Sequence, residues 1–314
     1  MRGKMVKGRQ KDNYFYRLRK DLIKNKMLYL MLLPIIIFYV VFNYYPMYGA
    51  QIAFKDYQPV YGIEGSQWVG LKHFKKFFDS IYAGRLVGNT LSINIKSLIW
   101  GFPAPIVLAL MLNEVKNVGF KRVVQTISYM PHFISTVVIA GMVLKFTATD
   151  GFITNFLTMF GYPKQSLMYN PDLFQPIYVI SGIWQGIGWS SIIYLAAIAG
   201  IDEELYDAAK IDGAGRWKQT LYVTLPSILP TIITMLILRI GNMMSLGFEK
   251  VFLLYNSAIY EKADVISTYV YRMGIEQMNY SFSTAVGLFN SLINLILIVS
   301  ANKISKKLTE TGLW

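Results

Sequence analysis

The sequence predicts an all-α integral membrane protein with six transmembrane helices, and three observations support this fold class. Of its 314 residues, 54% are hydrophobic and only 16% are charged, whereas an average soluble domain contains about 25% charged residues. A bilayer-spanning helix needs about 20 apolar residues. Six stretches of the chain satisfy that length: 28–50, 86–112, 124–147, 176–200, 227–247 and 281–302. Most lysines and arginines lie between these stretches, with ten in the first 26 positions.

The distribution of lysine and arginine predicts that both termini are cytoplasmic. With the N-terminus inside, 19 of these residues fall in cytoplasmic segments and 9 in outer segments, and cytoplasmic loops are the ones that carry the basic excess. We therefore attribute much of the net charge of +13 to a cytoplasmic tail and not to a nucleic-acid-binding surface. The apolar run from Met27 meets no charge before Lys55, which is too long for the apolar region of a signal peptide.

Four regions follow along the chain: a basic cytoplasmic tail over 1–26, a first transmembrane helix with an extracellular cap over 27–85, a core of five transmembrane helices over 86–302, and a cytoplasmic C-terminal tail over 303–314. Within the cap, residues 67–78 have the pattern of a short amphipathic helix at the membrane surface. The outer segment 248–280 is rich in tyrosine, which is typical of interfacial anchors.

No pattern of catalytic or metal-binding residues occurs. The chain lacks cysteine, has no phosphate-binding G-x-x-x-x-G-K-[ST] run and contains only two histidines, His73 and His132. No serine lies in a G-x-S-x-G context. We therefore expect neither enzyme activity nor a cofactor in this chain, so that energy for any active process comes from another chain.

The segment between the fourth and fifth spans is charged and favours helix on the predicted cytoplasmic side. Asp202 can cap a helix over 203–211, whose acidic first turn suits the positive helix end. Gly213 permits a left-handed turn that a residue with a Cβ resists. A second helix over 217–223 then leads to Pro226. Small side chains along this segment allow another surface to approach closely.

This segment resembles the EAA loop of ABC importer permeases. Asp207-Ala208-Ala209 corresponds to the E-A-A triplet, Asp212-Gly213-Ala214 to D-G-A, and Leu225-Pro226 to the end of the motif. Further runs are similar to the carbohydrate branch of these permeases, and more narrowly to the LplB-like permeases of polysaccharide and oligosaccharide importers. They are 89–91, 101–103, 112–114, 125–131, 247–249 and 263–268.

The resemblance implies a maltose-type importer in a bacterial cytoplasmic membrane. Its expected partners are a second, homologous permease, two ATPase subunits that hold ATP and Mg, and an extracytoplasmic solute-binding protein that delivers a carbohydrate. The loop between helices four and five is expected to be the coupling helix that docks onto an ATPase. The residues implied in this coupling are Glu204, Asp207, Ala208, Ala209, Asp212 and Gly213.

Polar and aromatic residues within the spans are candidates for the substrate pathway. Charged side chains inside a membrane are expensive and mark functional sites by default. Sugars present hydroxyls to amides and C–H faces to aromatic rings, so aromatic and amide side chains are further candidates. The candidates are Lys96, Trp184, Gln185, Trp189, Arg239 and Asn242. If Lys96 and Arg239 both face the pathway, they favour an acidic sugar.

Other interpretations stay open at this stage. The tryptophans can serve as interface anchors or in packing, Asn242 and Asn290 can bond between helices, and the glycines at 182, 186 and 188 can allow close helix approach. The same docking loop suits an ABC permease for a non-sugar solute. An ion-coupled secondary transporter would favour paired acids inside the membrane, and the spans contain almost none. A structural scaffold would leave the register of the loop motif a coincidence.

Overall fold

The structure, a computed structural model, describes residues 20–244 and 247–309, which are helical apart from one short hairpin. Four helices are long and apolar enough to cross a membrane: Lys26–Phe54, Ala83–Glu114, Pro171–Ala199 and Tyr280–Lys307. Two bent pairs of helices are the remaining candidates: Val118–Phe133 with Thr136–Phe146, and Arg216–Ser227 with Leu229–Gly241. These six are called segments I to VI in chain order. The described residues therefore hold four to six candidate spans.

Segment III, predicted as an apolar span over 124–147, is bent inside that stretch. Its two parts, Val118–Tyr129 with a 3₁₀ turn at Met130–Phe133 and then Thr136–Phe146, meet at 101°. Ile134 has extended backbone, and Ser135 begins the second helix by accepting a hydrogen bond from the N–H of Val138 at 3.4 Å. A serine cap favours a helix start, so local backbone chemistry interrupts an otherwise apolar run.

Segment I contains a π-helical turn, which is wider than a regular α-helical turn, next to a proline. The regular helix Lys26–Tyr39 passes into a π-helical turn over Val40–Tyr44 just before Pro46, and the segment continues through Tyr45–Met47 and a 3₁₀ stretch over Tyr48–Phe54. Pro46 has no N–H for the carbonyl four residues earlier. One residue before it, the N–H of Tyr45 bonds to the carbonyl of Val40, five residues back.

Segment V repeats this arrangement. A π-helical turn over Thr220–Thr224 follows the short helix Arg216–Gln219, and the N–H of Leu225 bonds to the carbonyl of Thr220. The helix then continues through Pro226 to Ser227, beyond the bounds of 217–223 predicted for it. The segment bends by 60° after Ser227, ahead of the helix Leu229–Gly241.

The predicted cap after segment I is present as ordered structure. Strands Lys55–Gln58 and Ser66–Trp68 pair antiparallel around the short helix Gly62–Gly65, and a helix follows over Lys72–Phe78. The helix predicted over 67–78 is therefore wrong at its start. Gly70, with a φ of +60°, lies between the strand and the helix and separates them.

The remaining elements complete the chain order. Segment II consists of Ala83–Gly101 and Pro103–Glu114, and the helix of segment VI extends to Thr309. The shorter elements are Phe152–Thr158, Leu167–Tyr169, Glu203–Ile211, Phe248–Leu254, Ser257–Ile259, Tyr260–Ala263, Ile266–Tyr271 and a π-helical turn over Arg272–Glu276. Of the predicted tails, 1–19 and 310–314 lie outside the described residues.

The connection between segments V and VI is packed inside the molecule. Val251 and Ile259 from this connection are fully buried against Ile93, Ala140 and Phe174 of segments II, III and IV. Burial of such side chains removes apolar surface from water or lipid headgroups and stabilises the fold by about 1.5–3 kcal/mol each. The connection is thus part of the core and not a loose outer loop.

A buried polar network holds this connection in place. The carboxylate of Asp264 is fully buried and accepts hydrogen bonds from Arg272 at 2.6 Å and Thr268 at 2.9 Å, while Arg85 lies 3.7 Å away. Asn89 at the start of segment II donates to the carbonyls of Glu261 and Asp264, both at 2.9 Å. The guanidinium of Arg272 also lies over tyrosine rings of the same connection, at positions 260 and 269. These two tyrosines, predicted as interfacial anchors, thus also pack against Arg272.

Segments III and IV approach closely at Gly188. A Cβ there would overlap the carbonyl oxygen of Ser128, which confirms the role expected of this glycine. A methyl group on Gly186 would meet no atom within 4 Å, and one on Gly182 would meet only the ammonium of Lys250, at 3.6 Å. The close-approach role expected of Gly182 and Gly186 is therefore wrong, because both line a cavity.

Candidate functional site

The docking loop is defined as residues 202–219, and its last four residues are also the first turn of segment V. It begins with the predicted helix. The helix spans Glu203–Ile211, and the side chain of Asp202 accepts a hydrogen bond from the N–H of Glu204 at 3.0 Å. At the other end, Lys210 donates to Asp207 at 2.8 Å on the exposed face. This hydrogen bond raises the pKa of Lys210 above its ordinary value.

Gly213 ends the helix in the predicted left-handed conformation, with a φ of +74°. The N–H of Gly213 bonds to the carbonyl of Lys210 at 3.0 Å, and the N–H of Ala214 bonds to the carbonyl of Ala209 at 2.9 Å. These two bonds form a Schellman motif, which satisfies carbonyls that the helix end leaves free. The motif explains why the segment carries a glycine at this position.

Few contacts attach the docking loop to the rest of the described chain. The hydroxyl of Tyr206 meets that of Thr224 in segment V at 2.9 Å, and Arg216 lies 4.0 Å from Glu114 at the end of segment II. Five of the six predicted coupling residues are exposed, and the sixth, Ala209, is half-buried. The loop therefore presents its predicted coupling residues on the surface.

Apolar side chains that the sequence reasoning did not select extend this surface. Ile211 is 87% exposed, Trp217 is 75% exposed and Leu205 is 49% exposed. These side chains add exposed apolar surface to the loop, and exposed apolar surface is a candidate for contact with another molecule. The sequence could have drawn attention to Leu205, Ile211 and Trp217, because they are large apolar residues in an otherwise charged segment.

A central cavity of about 320 Å³ lies between segments II, IV and V and the helix Phe248–Leu254. It includes three of the six predicted pathway residues, Gln185, Arg239 and Asn242. The amide of Asn242 donates to the carbonyl of Leu238 in its own helix at 3.1 Å, so the bond expected to another helix is not made. Asn290 does bond between elements, to the carbonyl of Met244 at 3.2 Å.

The other three predicted pathway residues do not line this cavity. The ammonium of Lys96 donates to the side chain of Gln175 at 2.6 Å and faces a second, smaller cavity beside the start of segment IV. Trp189 stacks on His132 with ring centroids 4.5 Å apart. Trp184 is partly exposed and lies outside the central cavity lining. The alternative role for Trp189, packing, is the one that its contacts support.

Lys250 is the main functional candidate that the sequence did not reveal. Its side chain lines the central cavity and is only 7% exposed, and its ammonium lies 5.1 Å from the ring centroid of Tyr178. Asn94 and two serines add polar groups from segments II and IV. Lys250 lies in the stretch that hydropathy places outside the membrane, so no signal in the sequence placed it beside segment IV.

Nothing in the described ranges suggests a metal centre. Between residues 20 and 309, leaving out 245–246, no group of three or more histidine, aspartate or glutamate side chains is placed to hold an ion. The two features with functional character are therefore an exposed docking loop and a polar, positively charged cavity.

Comparison with protein families gives a match over most of the chain. A family model described as "Binding-protein-dependent transport system inner membrane component" matches residues 101–310. Two relatives from Bacillus subtilis (strain 168) are each 46% identical. The polygalacturonan/rhamnogalacturonan transport system permease protein YteP aligns over 95% of this chain and 93% of its own length, and Protein LplB over 93% and 92%.

Solved structures give the same result for the fold. The chain superposes with a TM-score of 0.86 and 44% identity on a chain of a bacterial ABC transporter involved in the import of the acidic polysaccharide alginate, covering 93% of this chain and 99% of that one. A second structure, of the bacterial alginate ABC transporter in complex with an alginate pentasaccharide-bound periplasmic protein, gives a TM-score of 0.87 at 44% identity. It covers 95% of this chain and 100% of the other.

Proposed function

Because the chain belongs to the family of binding-protein-dependent transport system inner membrane components, we propose that it imports an oligosaccharide as one of two different permeases in a single complex. The chain is a multi-pass membrane protein and a permease subunit of an ABC transporter, not itself an enzyme. The resemblance to LplB-like permeases is confirmed by the 46% identity to that protein.

The observation that carries the substrate class is similarity over nearly the full chain to permeases whose names specify polysaccharides. YteP is named for polygalacturonan and rhamnogalacturonan, and the solved transporter for alginate. The polar groups that line the cavity are amides, hydroxyls and cations, which can form hydrogen bonds with sugar hydroxyls. These features support an oligosaccharide over a non-sugar solute. An ion-coupled mechanism would favour acidic side chains in the pathway, and none is among the lining residues described.

The proposed topology has six spans with both termini in the cytoplasm. In this topology, segments III and V each cross once despite their bends, and the docking loop faces the cytoplasm. The bias of 19 to 9 lysines and arginines supports this orientation. The four regions predicted from the sequence, with boundaries at 26, 85 and 302, remain part of the proposal.

Single-cysteine labelling tests this orientation directly, because the natural chain contains no cysteine. Lys164→Cys and Lys218→Cys replace two exposed lysines on opposite proposed sides. In intact cells, a membrane-impermeant maleimide should label position 164 only, and position 218 should react after permeabilisation. Labelling of position 218 in intact cells would contradict the proposed orientation.

In the proposed mechanism, the docking loop transmits motion from an ATPase subunit. ATP and Mg bind in the two ATPase subunits, and closure of that pair moves the docked loops together. Segments I to VI then rock so that the cavity opens toward an extracytoplasmic solute-binding protein, and hydrolysis resets the complex. Glu204, Asp207 and Asp212 supply charge at the contact, while the alanines at 208 and 209 allow close approach and Gly213 fixes the turn.

The deciding experiment is affinity purification from native membranes in mild detergent, followed by mass spectrometry. Wild type should recover a P-loop ATPase, a second six-span permease and, under stabilising conditions, a solute-binding protein. Gly213→Glu should lose the ATPase but keep the second permease, because it strains the left-handed turn and adds a charge to the docking surface. Gly161→Glu is the matched control, since Gly161 also has a positive φ, +87°, and open space around it.

Two results would contradict the proposal. A wild-type chain that purifies alone would contradict the proposed importer assembly. If Gly213→Glu retained the ATPase at the level of Gly161→Glu, the docking loop would not be the contact with the ATPase.

A further inference from the structure

The central cavity contains two positive side chains and, among its described lining residues, no negative one. Arg239 reaches it from segment V and Lys250 from the helix Phe248–Leu254. The other polar lining groups are neutral amides and hydroxyls: Asn94, Ser97, Tyr178, Gln185, Ser190 and Asn242. Amides and hydroxyls can bond to sugar hydroxyls, so a carboxylate is the one group of an acidic sugar that needs the cations.

Lys250 is buried without an anion. Its ammonium reaches the carbonyl of Tyr178 only at 3.5 Å, the outer limit of a hydrogen bond, and otherwise lies over the ring of that residue. Among the residues that the structure describes, no carboxylate forms an ion pair with Lys250 or Arg239. Removing a charge from water without pairing it is costly. The cavity therefore holds positive charge that no described carboxylate neutralises.

Two acids of the same connection, Glu249 and Asp264, form no ion pair with Lys250. Asp264, in the same connection as Lys250, is held by Arg272 at 2.6 Å and by Thr268 at 2.9 Å. Glu249 precedes Lys250 in the chain but does not line the cavity. The residues that the structure describes thus supply no counter-ion for Lys250, and an anionic ligand in the cavity would supply it.

We propose that Lys250 and Arg239 form a carboxylate-binding site in the central cavity, which makes the permease selective for oligosaccharides containing uronic acid residues. The proposal rests on the oligosaccharide import proposed above and assigns the selectivity to these two side chains. A uronate compensates the buried ammonium of Lys250, whereas a neutral sugar leaves it unpaired. Arg239, which is exposed, offers paired N–H donors that match the two oxygens of a carboxylate.

The test compares trigalacturonic acid with its fully methyl-esterified form, which has the same length and no charge. Equilibrium binding of both is measured on the purified complex of permeases and ATPases, without the solute-binding protein. Wild type should prefer the acid. Lys250→Met should weaken acid binding by about 10- to 100-fold, the range for loss of a hydrogen bond to a charged group, and leave ester binding unchanged.

Two further variants guard against a trivial loss of folding. Lys250→Arg retains the charge and should keep most of the preference for the acid. Arg239→Gln should weaken acid binding by a smaller factor than Lys250→Met, because water already reaches Arg239. Recovery of the intact complex by size-exclusion chromatography is required of every variant that is measured.

Several results would overturn the inference. Equal loss of acid and ester binding in Lys250→Met would indicate a packing role, and unchanged acid binding would remove Lys250 from the site. A wild type that binds both forms equally, or neither, would remove the selectivity itself. ATP-driven uptake in proteoliposomes with the solute-binding protein separates the two proposals. If wild type takes up no oligosaccharide, the proposed function is contradicted. If Lys250→Met takes up the acid as well as wild type does, only the carboxylate-binding site is contradicted.

Discussion

The docking loop takes nearly all its hydrogen bonds from residues within five positions of one another, whereas the central cavity collects its lining from three separated stretches of chain, 94–105, 178–190 and 239–250. Asp202 caps the loop helix two residues away, and the Schellman motif joins Ala209 to Ala214. In the cavity, Asn94 comes from segment II and Lys250 from the helix Phe248–Leu254, far from it in the sequence. The loop is mostly exposed, and the helix that carries Lys250 is packed into the core.

This difference indicates how each region responds to change. A local substitution in the loop alters the surface that we propose contacts an ATPase subunit, while the packing of segments I to VI stays intact. A substitution in the packed interior, where side chains from distant parts of the chain meet, disturbs the contacts of several elements together. The following predictions test this contrast, from the largest expected effect to the smallest.

Asp264→Asn should destabilise the chain by about 3–5 kcal/mol, the usual cost of removing one member of a buried ion pair. The change leaves the guanidinium of Arg272, and that of Arg85 nearby, without their carboxylate. Thermal unfolding in detergent, followed by tryptophan fluorescence, measures the loss. Asp207→Asn is the matched control, because it breaks only the exposed pair with Lys210 and should not shift the midpoint. Equal shifts in both variants would contradict the contrast between the regions.

Gly188→Ala should destabilise the chain by about 1–3 kcal/mol, as overpacking does in a close-packed interior. The added methyl meets the backbone of segment III at Ser128, which can yield only if segments III and IV separate. Gly186→Ala, two residues away in the same helix, meets no atom within 4 Å and should leave stability unchanged. The same unfolding measurement compares them, and an equal effect of the two alanines would refute the assigned close approach.

Asp202→Ala should weaken the loop helix by about 1 kcal/mol through loss of its N-cap. Because few contacts attach the loop to the core, we expect no change in the unfolding midpoint. Hydrogen exchange should instead become faster at the amides of 203–211 alone. Asp202→Ser retains a capping oxygen and should exchange like wild type. Faster exchange that also spreads into segments IV and V would show that the loop and the core are coupled.

Where local rules suffice, the sequence predicted the structure closely. The helix over 203–211, its cap at Asp202 and the left-handed Gly213 all follow from the chemistry of neighbouring residues, and all three are confirmed. Hydropathy located segment III but gave no angle between its two helices, because it measures how apolar a stretch is and carries no information on direction. The same measure placed 248–280 outside the membrane, although its helix Phe248–Leu254 packs against segments III and IV.

The sequence by itself determined the class of the protein, the positions of the six apolar segments and the docking loop, because composition, run length and turn chemistry act over short distances. Only the tertiary structure decided which polar side chains share a cavity. Gln185, Arg239, Asn242 and Lys250 line the central cavity, whereas Lys96 lines a different one. Helix periodicity fixes which residues share a face, but the partner of that face depends on packing between elements far apart in the chain.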